Sequence, residues 1–454
     1  MERKVASLFA SVLLGGEWSR PGCLESLQQL SGSRSGKLKW QTSLVESLFD
    51  AGGFAIAPTE WSLRRFLETA HAIGVLNARI INSATTWAAG INWLDLPRPQ
   101  MTPQVAKAKS WDLPVIVTTG ALADQLNCSV GRLEWLADIR GNERTLEKEK
   151  VRNYRYTWVK KRAGGFRLIE CPKASLKQIQ RWILANIADR IPAHEAAHGF
   201  VSGRSPVTAA RIHENRHVVL RIDLQDFFTA ISGHRIAGIF RAVGYPSRVT
   251  KLLTGLCTNT AWEGALDEIA SDPADVPACK ARHERLFFPH LPQGTPTSPA
   301  LANLAAYSLD CRLQGLAQKF HAKYSRYADD LVFSGDLQFA KRLSDFRLRC
   351  LAVVHNEGFE IRRRKTRVMY SHEQQTVTGV VVNRRVNIAR SDFDDLKATL
   401  HNCIIHGPQN QNRMGVADFK RHLRGRIAWV SSLNEQRGRK LMAMFREINW
   451  QSKR

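Results

Sequence analysis

The sequence predicts an α+β fold, on three observations. Up to about residue 150, and again from about 390, apolar residues recur at helical spacing broken by Gly and Pro. Between these regions, from Tyr154 onward, short runs of β-branched and aromatic residues are bounded by turn signals. A chain of 454 residues exceeds one compact core and predicts two or three lobes. Apolar residues make up 44%, enough to bury a core, which excludes disorder of the whole chain.

Residues 1 to about 95 carry helical spacing, as at Trp61, Leu63, Phe66 and Leu67. The stretch 97–114 holds Pro97, Pro99, Pro103 and Pro114 and reads as a linker. A helical pair follows over 121–136, with Ser129 placed to cap its second member. The pattern resembles a DNA-binding helix-turn-helix, but a plain pair of packed helices is the favoured reading. The charged run 143–150 is expected to be a solvated helix face. Residues 158–161 and 166–169 read as strands joined at Ala163-Gly164-Gly165. A helix is expected over 176–191, and an apolar strand over 218–222. Ser298-Pro299 offers a cap and a proline at the first turn of a helix. Leu301, Leu304, Leu309, Leu313, Leu316 and Phe320 continue that helix at a period near 3.6 residues. Strands are expected at 324–327, 331–334 and 377–382, and helices from about 390.

Charge narrows the partners. The 66 Lys+Arg against 41 Asp+Glu give a formal charge of +25. Such an excess attracts polyanions. The basic residues are spread along the chain, which favours nucleic acid over a membrane surface. The segment 413–454 is locally very basic, with eleven Lys/Arg against three Asp/Glu. Eight cysteines at irregular spacing, with no C-x-x-C, exclude a zinc ribbon and a disulfide framework and fit reduced thiols in the cytoplasm. The apolar stretch from Val5 to Leu14 imitates a signal peptide. Glu17, Trp18 and Arg20 follow it without a small-residue cleavage site, so a buried amphipathic helix is expected instead. No run reaches the roughly 18 apolar residues of a membrane span.

The chemistry-bearing residues are carboxylates. Asp223 ends the apolar strand Val218-Val219-Leu220-Arg221-Ile222, where it can project from a sheet edge. Asp329 and Asp330 sit at a bend between the strand formers Tyr324-Ser325-Arg326-Tyr327 and Leu331-Val332-Phe333-Ser334. An isolated Asp-Asp bend is ordinary; between two strand formers, and after the Asp223 strand in the chain, it becomes a candidate metal site. Phosphoryl transfer can run on two divalent ions about 4 Å apart, one activating the attacking hydroxyl and one holding the leaving phosphates. Mg²⁺ takes hard oxygen ligands and borrows some from substrate phosphates, so a few carboxylates suffice.

From about Trp158 onward the sequence resembles bacterial retron-type reverse transcriptases, block by block and in order. Lys161 to Ile169, with Gly164-Gly165 and Arg167, is similar to the fingers hairpin. Ala197-His198-Gly199-Phe200 with Gly203-Arg204-Ser205 is similar to the next fingers block. Asp223-Leu224-Gln225-Asp226-Phe227-Phe228, Leu291-Pro292-Gln293-Gly294-Thr295-Pro296-Thr297-Ser298-Pro299 and Tyr327-Ala328-Asp329-Asp330 resemble the three catalytic blocks. Glu357-Gly358-Phe359 and Lys365-Thr366-Arg367 resemble the fourth. Val377-Thr378-Gly379 matches a retron tripeptide. A second retron mark, Asn-Ala-x-x-His, is partial here, because Ala209 stands in place of Asn before Ala210 and His213.

The resemblance implies a right-hand polymerase of fingers, palm and thumb with an α-helical N-terminal extension. The implied limits are 1–150 for the extension, 151–217 for the fingers, 218–383 for the palm with its fingers insertions, and 384–454 for the thumb. It implies RNA-templated synthesis of DNA from dNTPs with two Mg²⁺ ions, Mn²⁺ being a substitute. Asp223 and Asp329 become catalytic metal ligands supported by Asp330, with the Leu224 carbonyl assisting. Phe228 becomes the aromatic gate against a ribose 2′-OH. Gln293 and Gly294 approach the nascent pair, Arg167 clamps triphosphate, with Lys161 a second candidate, and Lys365 meets pyrophosphate or a backbone phosphate. Arg362, Arg363 and Arg364 make electrostatic contacts. His213, Val377, Thr378 and Gly379 face RNA or primer. Arg421, Arg424, Arg426, Arg437, Arg439 and Lys440 grip a duplex backbone, read by shape rather than by base.

The implied partners are a cognate structured noncoding RNA of the msr-msd type and its branched RNA–DNA product, primed from a guanosine 2′-OH. An effector protein for antiphage defence and a host RNase H complete the set, with no membrane. The alternatives are an Abi-like defence polymerase, a group II intron-related enzyme, or a non-catalytic RNA-binding scaffold; a DNA-binding N-terminal regulator is a further reading.

Overall fold

The computed structural model describes residues 1–15, 19–30, 39–50, 60–70, 76, 78–89, 100–160, 166–267 and 284–450. Its contacts divide the chain into two units. One comprises Met1–Ile191 with Ile231–Ser298, the other Pro192–Ala230 with Pro299–Arg454. The breaks between these two units fall near 191, 230 and 298.

The first unit opens with the helices Arg3–Gly15, Arg20–Leu30, Lys39–Asp50, Glu60–Thr69 and Ala78–Ala89. Leu8, Phe9, Val12 and Leu13 follow helical spacing along one face and are buried with Leu27, Leu44, Leu48 and Leu63. The first segment is therefore the buried amphipathic helix its pattern predicts. The described part of the expected linker is not free. Thr102 and Gln104 donate backbone hydrogen bonds to the Gly244 and Ala242 carbonyls, each at 3.0 Å.

Two seven-residue helices follow, Thr119–Gln125 and Val130–Leu136, capped by the Thr118 and Ser129 side chains. Arg132 Nη2 donates to Ser175 Oγ at 2.9 Å, and the Gly255 Cα lies so close to the Ala137 carbonyl that a Cβ would meet it at 2.1 Å. They are a packed pair within this unit. The run 143–150 corrects the expectation of a solvated helix face. Glu143 is buried, and its carboxylate accepts hydrogen bonds from the backbone of Asn153 and Tyr154 and from the Tyr156 hydroxyl. The run forms a turn and then a short 3₁₀ helix, Glu149–Val151, and this carboxylate ties down the start of the next strand.

Strands β1 (Tyr154–Lys160) and β2 (Phe166–Pro172) pair antiparallel. The turn expected at Ala163-Gly164-Gly165, and Lys161 beside it, lie outside the described residues. The helix expected over 176–191 runs Ala174–Asn186 and then tightens into Ala188–Arg190. Pro192 forces the residue before it out of helical geometry, and Ile191 is extended at φ −89°, ψ 117°.

The second unit is built on a four-stranded antiparallel sheet in the order β4-β5-β3-β6. The strands are β3 (Val218–Asp223), β4 (Lys323–Tyr327), β5 (Asp330–Gly335) and β6 (Arg367–Tyr370). β3 is interior, and its apolar residues Val218, Val219, Leu220 and Ile222 are buried around the half-buried Arg221. Val219 and Val332 from this sheet share a core with Leu396, Leu400, Leu423, Ile427 and Leu441 of the C-terminal helices Arg390–His406, Phe419–Leu433 and Glu435–Glu447.

Two local expectations need correcting. The helix begun at Ser298 breaks at Ala306 into Ser298–Ala305 and Tyr307–Lys319. Its first turn is capped by Thr295, whose Oγ1 accepts the Ser298 N–H, while the Ser298 hydroxyl donates to the Pro292 carbonyl. The strand expected over 377–382 is instead a tight hairpin of β7 (Thr376–Val377) and β8 (Val380–Val381). Thr378 and Gly379 have φ of 51° and 81°, and two left-handed residues close a two-residue turn.

Candidate active site

Two neighbouring strand ends bring the three aspartates together. Asp223 on β3 lies opposite Asp330 on β5, and Tyr327 on β4 pairs with Asp330, leaving Ala328-Asp329 as the turn. The Leu224 N–H donates to the Asp329 carbonyl at 2.9 Å, tying the turn to the end of β3. Ala328 sits at φ 55°. A left-handed alanine costs roughly 1–2 kcal/mol, and strain of this kind collects at functional sites.

The electrostatics separate the three acids. Asp223 is buried; its Oδ2 receives Lys365 Nζ at 2.9 Å. Its Oδ1 accepts no hydrogen bond, though Arg362 Nη1 stands 3.3 Å away. Arg362 also faces Asp226 Oδ1 at 3.4 Å. Asp330 is gripped by Arg221, with Nη2 2.7 Å from Oδ2 and Nε 3.1 Å from Oδ1. Burial raises the pKa of Asp329, the Asp223 and Asp330 charges raise it further, and Lys365 pulls it back in part. Asp223 and Asp330 thus each stand against protein cations, and the disfavoured negative charge falls on Asp329.

The turn rests on a buried network. Arg326, fully buried, donates Nε and Nη2 to Asp310 at 2.8 and 2.6 Å, and Nη1 to Asn303 Oδ1 at 2.9 Å and the Ala328 carbonyl at 3.2 Å. The Tyr324 hydroxyl donates to Asp310 Oδ1 at 2.7 Å. Asn303 Nδ2 donates to the Gly199 carbonyl at 2.8 Å. Gly199 packs so tightly that a Cβ there would sit 2.6 Å from the Ala328 nitrogen.

Phe227 and Phe228 divide their tasks. Phe227 is 3% exposed and stacks on Phe359 with centroids 5.6 Å apart. Phe228 is half-buried and lies 6.2 Å from the exposed Phe200 ring. An aromatic surface therefore stands at the residue expected to act as a gate.

Other expected residues lie in the first unit. Arg167 is exposed on β2. The Gln293 carbonyl accepts the Glu170 N–H of the same strand at 2.9 Å. Gly294 has φ 132°, and a Cβ there would meet the Glu170 carbonyl at 3.0 Å. Only glycine fits so close a backbone approach. Behind the loop, Glu170 and His290 form a buried pair at 3.0 Å, with Asn259 Nδ2 on the other carboxylate oxygen at 2.8 Å. Burial alone would lower the His290 pKa, but the Glu170 carboxylate outweighs it and the net shift is upward.

Two assignments to RNA or primer do not survive. His213 is fully buried, its ring nitrogens bonded to Ser334 Oγ at 2.7 Å and Ser325 Oγ at 2.8 Å. It joins the loop after a short helix to β4 and β5 and presents nothing to a ligand. Val377 is fully buried in the core beneath the sheet. In the same tripeptide Gly379 is exposed, and Thr378 Oγ1 donates to the Pro206 carbonyl at 3.0 Å. Arg424 is exposed and Arg426 half-buried on helix Phe419–Leu433. Arg437 lies over the Phe393 ring at 4.7 Å, and the exposed Arg439 pairs with Glu435 at 2.6 Å on the same helix face.

Sequence reasoning missed Arg221 and the Arg326–Asp310–Asn303 network. Arg221 was within reach, since a residue two positions before Asp223 on a strand shares its face. Nothing local signals that Arg326 is buried, because its partners come from distant helices.

Among the described residues no three His, Cys, Asp or Glu side chains gather into a group that could hold a metal ion by themselves. The donor set nevertheless fits a divalent cation that takes oxygen and completes its shell from substrate. Asp223 offers a buried oxygen without a hydrogen bond, and Asp329 carries a charge its neighbours disfavour.

Comparison with known proteins agrees. Residues 159–382 match the family described as reverse transcriptase (RNA-dependent DNA polymerase). The retron Mx65 reverse transcriptase of Myxococcus xanthus is 38% identical over 373 residues, covering 80% of this chain and 78% of its own. The retron Mx162 reverse transcriptase of the same organism is 32% identical over 389 residues, 79% and 73% of the two chains. The retron Ec86 reverse transcriptase of Escherichia coli is 28% identical over 346 residues, 75% and 92%. With its aspartates on adjoining strand ends of an antiparallel sheet, this chain belongs to the retron-type reverse transcriptases and is an RNA-directed DNA polymerase.

Proposed function

We propose that the enzyme copies part of one cognate structured noncoding RNA into branched msDNA, primed by an RNA 2′-OH, in antiphage defence. The observation that carries the chemistry is the convergence of Asp223 and Asp329 beside Lys365, with the half-buried Phe228 in the same unit. The retron biology is supported by the extent of similarity to the Mx65 and Mx162 enzymes and by Thr378 and Gly379 at the turn of the retron tripeptide.

Asp223 and Asp329, with the Leu224 carbonyl, would hold two Mg²⁺ ions, or Mn²⁺ in their place. Such ions acidify the attacking hydroxyl and stabilise the leaving pyrophosphate. Asp330 acts through Arg221, fixing the strand end that carries Asp329. Lys365 balances Asp223 in the free enzyme and is placed to give a proton to pyrophosphate. Phe228 closes the space a ribose 2′-OH would need. Arg167 clamps the triphosphate, and Gln293 and Gly294 approach the nascent pair. The exposed Gly379 and Thr378 turn meets RNA, and Arg424 and Arg426 hold duplex phosphates. A cytoplasmic setting, an effector protein and a host RNase H complete the proposal. No described helix is long and apolar enough to cross a membrane.

The test is to purify the enzyme with its native locus, extract the nucleic acid and treat it with RNase and a debranching enzyme. A DNA that stays joined to RNA until debranching is expected. DNA free of a branch removes the msDNA assignment while leaving polymerase activity in place.

A further inference from the structure

Phe200 combines three properties that packing does not explain together. It is a large aromatic with 49% of its surface exposed. Its backbone is left-handed at φ 61°, a genuine outlier for a bulky residue. Its ring lies 6.2 Å from Phe228 and 6.5 Å from Tyr327, tilted by 53° and 40°.

The segment that carries it is held from several sides. Arg204 Nη1 donates to the His194 and Glu195 carbonyls at 2.9 Å each, and to that of Ala197. The His198 N–H donates to the Arg326 carbonyl and the Arg326 N–H to the Ala196 carbonyl, both at 2.7 Å, a parallel bridge along β4. The Gly199 carbonyl is fixed by Asn303, and its Cα lies against the turn that bears Asp329. A loop this well tied could relax one backbone angle or turn a ring inward. Instead it holds an aromatic face to solvent, between the gate and the catalytic turn. Strain kept by surrounding structure and spent on exposing a side chain points to a ligand.

We propose that Phe200 is a nucleotide-selecting residue. Its ring forms with Phe228 an apolar wall against which the incoming deoxynucleotide packs. The chemistry suits that ligand, since every base and deoxyribose offers an apolar face, and aromatic stacking tolerates all four bases. Tyr327 backs the ring, so the wall is continuous with the strand that leads to Asp329. The inference rests on Phe228 as the residue facing the sugar.

The test is steady-state primer extension on a homopolymer RNA template, with KM and kcat measured for the matching dNTP and rNTP. Phe200→Ala, Phe200→Gly, Phe200→Tyr and Phe228→Ala are compared with the unaltered enzyme, and each is melted. For Phe200→Ala the KM for dNTP is expected to rise at least about fivefold, the low end for loss of one stacking contact. Its kcat stays within about twofold, because the ring holds the nucleotide and supplies no group to the chemical step. Phe200→Tyr keeps the ring and restores KM. Phe200→Gly relieves the backbone and melts no lower than Phe200→Ala, yet shows the same KM defect; a merely structural residue would not separate the two readouts. An unchanged dNTP KM in Phe200→Ala overturns the proposal. So does a rise confined to the KM for template–primer, which would place the ring against the template. If Phe228→Ala fails to admit ribonucleotides, the gate falls, while a dNTP KM raised in Phe200→Ala alone still supports the nucleotide contact.

Discussion

At the scale of single residues, the acids are set against one another by their surroundings. Asp329 is buried near Asp223 and Asp330, and its pKa is raised. As pH climbs past the ordinary aspartate value, the unfolded chain releases that proton before the folded one does, so folding stability declines through this window. At neutral pH the charged Asp329 is therefore a cost in the absence of cations. Asp329→Asn should melt higher than the unaltered enzyme in metal-free buffer and lose primer extension by at least about 10³-fold, the worth of several kcal/mol of lost charge stabilisation. A lower melting temperature, or extension near the original rate, would refute this. His213 works in the opposite sense. Burial holds its pKa down to about 3. Below the ordinary histidine value the unfolded chain takes a proton that the folded one refuses, so acid destabilises the fold. The loss is about 2 kcal/mol by pH 5. Urea unfolding of His213→Gln at pH 7 and pH 5 should show that part of the acid sensitivity gone.

At the scale of elements, the catalytic turn is only as good as its bed. A Cβ at residue 199 would lie 2.6 Å from the Ala328 nitrogen, and backbone cannot step aside cheaply. Gly199→Ala should cost about 1–3 kcal/mol as overpacking and move Asp329. A shift near 1 Å at a reacting group can cost about 10²-fold in rate. The loss should fall on kcat more than on the KM for dNTP, and single-turnover extension separates the two. Asp310→Asn leaves the Arg326 guanidinium buried with one charge partner fewer, a change worth about 3–5 kcal/mol in melting stability. These elements also mark how far the sequence could be read. The strands at Val218 and Leu331 were legible because each is a short, largely apolar run ended by an acid or a turn, and the one at Tyr324 because its two tyrosines are strand formers beside the acidic bend. The site aspartates were legible for the same reason. The 377–382 strand was misread because a two-residue turn of Thr378 and Gly379 has no separate length in the pattern. His213 and Val377 matched retron marks, but a motif does not say whether its side chains face a ligand or a core. Glu143 looked like part of a charged face because its three hydrogen-bond donors lie ten or more residues downstream.

At the scale of the whole molecule, the formal charge of +25 predicts affinity for polyanions but does not say which cations are free to bind them. The structure sorts them. Arg221, Arg326 and Arg362 are spent on internal carboxylates, Arg437 on an aromatic ring and Arg439 on a helical neighbour. On helix Phe419–Leu433, Arg424 is exposed and Arg426 partly so. Each phosphate contact releases counterions, so binding weakens with salt by a power set by the number of contacts. Replacing Arg424 and Arg426 together by Ala should shallow the log–log salt slope for an RNA–DNA duplex by about 2, roughly one per arginine. Arg439→Ala, which removes a cation already engaged with Glu435, should change it less. Fluorescence anisotropy titrations at several KCl concentrations read the slopes directly. Equal slopes for the double variant and the unaltered enzyme would mean that this helix face does not carry the duplex and that the excess charge acts elsewhere on the molecule.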